Sequence, residues 1–125
     1  MEQINLLAVF AAAASSFLLG GLWYSPALFG PAWGRAAGVL GPGAEARDRS
    51  PGHPARVFAL SFGFALVAAT CFAFLVGPAP TLAHAVTQGL LAGAGLVAAS
   101  FGINYQFANR TLMLWLIDGG YHVAQ

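Results

Sequence analysis

Four polar residues near the end of a strongly apolar chain have the types and spacing to do chemistry. Thr111, Asp118, His122 and Gln125 follow one another at intervals of seven, four and three, which places them on one face of a helix. If that helix enters a bilayer beside Arg110, Asp118 lies about 12 Å deep and His122 about 18 Å deep. An acid at that depth costs at least ~2.5 kcal/mol unless it is paired or neutral, so Asp118 needs a partner. Asn104, six residues before Arg110 on the preceding segment, reaches a depth of about 9 Å from the same side. It is the first expected partner, with His122 second, and Ser100 lies one turn further along the Asn104 face. A protonated Asp118 would donate to the Asn104 carbonyl. A protonated His122 would instead make an ion pair with the carboxylate. The residues leave both arrangements open.

Three roles fit such a stripe. It can glue helices together, each hydrogen bond contributing about 0.6–2 kcal/mol. It can form a proton or substrate site. It can also be the stump of a helix that continues beyond residue 125. Gly119-Gly120 directly follows Asp118 and has two readings as well, a break that exposes backbone groups or a flat patch that lets a neighbouring helix approach. An enzyme would need a nucleophile, a base and oxyanion donors within reach, and no nucleophile is identifiable by spacing. His53, His84 and His122 are scattered. No enzyme, metal site or cofactor is therefore expected. The single Cys71 matches no metal spacing and is expected to be an inert packed thiol.

The elements that must position these residues follow from composition. Of 125 residues, 58% are hydrophobic and 7% charged, against about 25% charged in soluble domains. A soluble fold would lack polar surface, so the expected solvent is lipid. A net charge of +1 excludes the basic stripe of a nucleic-acid binder. An all-α membrane protein with four transmembrane helices is expected, as one domain over residues 1–125, with helices at about 4–24, 57–77, 85–107 and 111–125. The first apolar run opens on "MEQIN" without Lys or Arg and is too long for a signal peptide, so it is read as a retained helix. The fourth spans only about 22 Å of a ~30 Å core and is expected to be short or truncated.

Arg35, Arg47, Arg49 and Arg56 fall in the 25–56 loop, and Arg110 in the last turn. Alternating crossings put all five on one side, and the positive-inside rule makes that side cytoplasmic. The N-terminus is then outside. Ser25-Pro26 reads as an N-cap with Pro at the first helical position, interrupted by Gly30-Pro31. A short interfacial helix near 26–38 is expected, with Trp23, Tyr24 and Trp33 marking the membrane interface and Phe29 sharing a face with Trp33. Residues 41–54 read as a polar Gly/Pro loop. "NRT" at 109–111 matches a glycosylation sequon but falls on the cytoplasmic side and is read as chance.

Small residues recur at helical spacing in three segments: Ala8, Ala12, Ser16 and Gly20; Ser61, Ala65, Ala69, Ala73 and Gly77; and Gly89 and Gly93 with Ala94, Ala98 and Gly102. They permit close backbone approach in lipid, so tight packing and a homo-oligomer are expected.

Three blocks, "GGLWYSPALFGPAW" (20–33), "FGINYQF" (101–107) and "LWLIDGGYH" (114–122), resemble the membrane-protein family called domain of unknown function 1761. The most specific part is Trp23, Tyr24, Ser25 and Pro26 with the following Phe29, Gly30 and Trp33. Gly119, Gly120 and Tyr121 belong to the last block. The resemblance runs over nearly the whole chain and implies four transmembrane helices with the Gly-Tyr-His block inside the last. It implies no mechanism. The functional expectation is a structural or assembly-type bundle in the bacterial plasma membrane. The alternative is a small oligomeric transporter or proton-linked conduit using Asp118 and His122. The bilayer is the expected partner, and no small-molecule ligand is legible.

Overall fold

The computed structural model describes residues 4–42 and 53–125. Arg47, Arg49 and most of the polar 41–54 loop lie outside the described residues. Among the described residues the chain is all helical: α1 (Leu6–Trp23), α2 (Gly30–Ala36), α3 (His53–Val76), α4 (Leu82–Phe107) and α5 (Leu112–Ala124). Three of them, Leu6–Trp23, Pro54–Val76 and Leu82–Phe107, are long and apolar enough to cross a membrane. α5, with 13 residues, covers about 20 Å and is not among them.

Contacts group the chain into two compact units. The first comprises Met1–Leu18 and Asp48–Gly89. Here Phe17 of α1 packs edge-on against Phe58 and Phe62 of α3, and Phe10 meets Phe62 the same way. Such edge-to-face pairs add about 0.5–1.5 kcal/mol beyond simple contact. α3 ends where Gly77 turns to φ +79 ahead of Pro78. Cys71, expected to be packed, is exposed on α3, because the half-buried positions Phe62, Ala65, Leu66, Ala69, Thr70 and Ala73 run along another face of that helix.

The second unit comprises Leu19–Arg47 and Leu90–Gln125. The start of its second half of α4 is wound as a π-helix over Leu91–Ala98 before returning to α geometry at Ala99–Phe107. This changes which small residues share a face. At α spacing Ala94 was expected beside Ala98, yet Ala94 is exposed while Gly93 and Ala98 are buried. The wider π turn brings residues five apart nearer to one face than α geometry does, and Gly93, Ala98 and Gly102 all lie against α5. The contact is close. A Cβ on Gly93 would collide with the His122 carbonyl oxygen and lie 2.9 Å from the Val123 Cα, while Gly102 and Gly119 face Trp115 and Ala98 respectively. In α1 the buried positions are Val9 and Ala13, whereas Ala8 and Ala12 of the expected stripe are exposed.

The interfacial helix begins later than Ser25-Pro26 suggests. Residues 26–29 are turns, and α2 starts at Gly30 with Pro31 in its first turn. Pro31 therefore starts the helix, where its missing N–H costs nothing. The backbone carbonyl of Ser25 accepts from Leu28 and Gly30, while its hydroxyl is buried and has no hydrogen-bond partner among the described residues. Gly30 is required here, since a Cβ would lie 2.7 Å from the Ser25 carbonyl oxygen and nearer still to that of Tyr24.

Candidate functional site

Asp118 is only 7% exposed, in the middle of α5. Burying a carboxyl group demands hydrogen-bond partners, and two phenols supply them. The Tyr24 hydroxyl donates to one carboxyl oxygen at 2.8 Å, and the Tyr105 hydroxyl donates to the other at 2.7 Å. Tyr24 follows the end of α1, Tyr105 lies in the last turns of α4, and Asp118 belongs to α5. One carboxyl group thus ties three parts of the chain together.

Local sequence aims each phenol. Tyr105 is held by the exit of α4. Arg110 N–H donates to the Tyr105 carbonyl and Asn109 N–H to that of Gln106, with Asn109 at φ +50. This is a Schellman cap with Asn in the left-handed position. Thr111 then caps α5, its hydroxyl oxygen accepting from the Leu114 N–H at 3.3 Å. The Asn-Arg-Thr pattern is thereby explained as a helix stop followed by a helix start. Tyr24 is fixed by aromatic neighbours. Its ring meets Trp33 and Tyr121 edge-on, each at a centroid distance of 5.5 Å.

Two indoles reinforce the same contacts. Trp23 Nε1 donates to the Ile117 carbonyl at 3.0 Å, and its ring covers Gly120 and packs on Phe29. Trp115 Nε1 donates to the Ala98 carbonyl at 2.8 Å, at the end of the π segment where the hydrogen-bond register changes. The polar atoms of Trp23 and Tyr24, expected to mark the interface, are thus bonded within the chain. Gly119 and Gly120 do not break α5, which runs continuously to Ala124. They supply the flat surface on which Ala98 and the Trp23 ring rest.

The expected partners of Asp118 are elsewhere. Asn104 and Ser100 are exposed. Adjacent helix positions point about 100° apart, so when Tyr105 faces Asp118 its neighbour Asn104 faces away. His122 stacks on Phe101 at 5.0 Å, and its Nδ1 pairs with the Gln125 side-chain nitrogen at 2.9 Å. Asp118 and His122 share a face of α5 but no hydrogen bond. Tyr105 was missed as a site residue although it lies in the quoted "FGINYQF". The signal available was chemical, since a tyrosine within an apolar span needs a partner for its hydroxyl. Among the described residues no group of three His, Cys, Asp or Glu side chains could hold a metal ion.

Beside this cluster, at the α4–α5 turn, lies an open cleft of about 340 Å³, lined mainly by apolar side chains together with Gln106, Arg110 and Thr111. Tyr105 contributes to both features.

One family model, described as a protein of unknown function (DUF1761), matches residues 7–125. No curated protein and no solved structure matches the chain.

Proposed function

We propose, for a chain that belongs to the DUF1761 family of proteins of unknown function, that it is a multi-pass membrane protein of structural or assembly type. In this reading the Tyr24–Asp118–Tyr105 cluster is its internal latch. The observation that carries the reading is that both carboxyl oxygens already accept a hydrogen bond from a tyrosine. The apolar exterior of the three long helices supports the membrane location, for Leu7, Phe64, Phe74 and Leu96 all point outward. Within the reading the site is the bacterial plasma membrane, with the N-terminus outside and the 25–56 loop cytoplasmic, as the five Arg residues suggest. Oligomerisation through small-residue faces such as Ser61, Ala65, Ala69 and Ala73 belongs to the same reading. Labelling of Ser50→Cys tests the topology. That cysteine resists impermeant reagents in intact cells, and ready labelling there overturns the orientation.

A second reading, a proton-linked conduit, draws on the same two O–H···O bonds, which link Tyr24, Asp118 and Tyr105 into a chain. His122 stands outside that chain, being bonded to Gln125. Asp118→Asn separates the readings. Asn keeps the shape, accepts from one phenol and donates to the other, but cannot titrate. A latch tolerates it, whereas a proton carrier does not. In proteoliposomes the latch reading expects wild type and Asp118→Asn to fold alike and to hold an imposed pH gradient as well as empty vesicles do. A wild-type leak abolished by Asp118→Asn contradicts it.

A further inference from the structure

The cleft at the α4–α5 turn combines features that the latch does not use. Its wall is apolar, formed in part by Ile103, Leu112 and the Trp115 ring. Its polar lining comes from Arg110, Gln106 and Thr111. Arg110 is exposed and forms no ion pair among the described residues, where Asp118 is the one acidic side chain and is bonded to the two tyrosines. Gln106 is likewise exposed. The Thr111 oxygen accepts from Leu114, which leaves its O–H free to donate. Three donors and one positive charge therefore meet an apolar slot. α5 also starts here, and a helix N-terminus adds positive character.

The position decides what kind of anion this suits. α4 is long enough to cross a bilayer and ends at Phe107, so Arg110 lies at headgroup level. Phe107 and Leu112, on either side of the turn, are 91% and 66% exposed, as expected of groups that face acyl chains. A volume of about 340 Å³ lies at the small end of the ~300–1,000 Å³ found for ligand sites. It suits a phosphate and the first part of one chain rather than a whole lipid.

We infer that this cleft is a binding site for an anionic phospholipid, with the phosphate at Arg110, Gln106 and Thr111 and the upper acyl chain against Ile103, Leu112 and Trp115. Basic pockets between membrane helices bind anionic headgroups in this way. The inference rests on the membrane reading above. A chain that is not recovered with solubilised membranes fails that reading, whereas a membrane-extracted chain indifferent to headgroup charge fails this one alone.

The test is native mass spectrometry of the full chain in a neutral detergent, with phosphatidylglycerol and phosphatidylcholine of identical acyl chains supplied together. Wild type retains phosphatidylglycerol in preference. Arg110→Gln lowers that preference about fivefold, the effect of one basic residue near an anionic headgroup. Arg110→Lys keeps most of it. Ile103→Trp, which fills the slot with charge intact, lowers retention of the lipid while its unfolding midpoint stays near that of wild type. Excess inorganic phosphate does not displace the lipid. Equal retention of the two lipids by wild type, or a preference unchanged in Arg110→Gln, overturns the proposal. So does displacement by phosphate, which marks a simple anion site.

Discussion

Replacing Gly93 with alanine tests the close approach of α4 and α5 on which the latch depends. The added methyl would collide with the His122 carbonyl oxygen and lie 2.9 Å from the Val123 Cα. Both obstacles are backbone, so no rotamer change relieves them and the helices must separate. Overpacking of this kind costs about 1–3 kcal/mol. The alanine also gains about 0.5–1 kcal/mol of helix preference over glycine. The net loss expected for Gly93→Ala is therefore roughly 0–2.5 kcal/mol. Gly95 is the matched control, two residues away in the same π segment, with nothing within 4 Å of its added methyl. Gly95→Ala is expected to be neutral or up to ~1 kcal/mol more stable. Reversible unfolding in mixed micelles, followed by helix content, gives both values. Equal stability of the two variants would refute the argument, for it would mean that α4 and α5 are not in backbone contact at this point.

Two further outcomes follow from the same packing. Trp115→Phe keeps most of the ring but removes the donor to the Ala98 carbonyl, so unfolding measurements should show a loss of about 0.5–1.5 kcal/mol. Asn109 sits at φ +50, so Asn109→Gly should be close to neutral while Asn109→Val, strained in the left-handed region, should cost roughly 1–2 kcal/mol in the same assay.

Much of the architecture was legible because lipid imposes simple requirements. Long apolar runs had to be helices, since a bilayer satisfies no backbone group, and Gly77-Pro78 had to stop one of them. The location of the critical acid was legible from the cost of burying it. Its partners were not, because depth alone cannot tell Asn104 from Tyr105. They are one residue and about 100° apart, and the π segment that shifts the face of α4 has no sequence signal of its own. Tyr24 was visible as part of a motif, but an interfacial role and an inward hydrogen bond call for the same residue type. Ser25-Pro26 misled for a related reason. Two consecutive Pro signals compete to start α2, and the turn between them lets Pro31 prevail.

The central claim is that Asp118 holds the chain together by accepting from Tyr24 and Tyr105. A double-mutant cycle measures this directly. Asp118→Leu, Tyr105→Phe and the pair are compared in reversible unfolding, and the cycle is repeated with Tyr24→Phe. Asp118→Leu alone leaves two phenols without an acceptor, each costing about 1–3 kcal/mol where burial is complete. Phenylalanine at either tyrosine removes one such orphan, so the double variants should lose less than the sum of the singles. The expected coupling is about 0.6 kcal/mol per pair and at most about 1.7 kcal/mol, the average and the maximum found for side-chain pairs in a helical membrane protein. Strictly additive losses in both cycles would contradict the account and leave Asp118 without the role assigned to it.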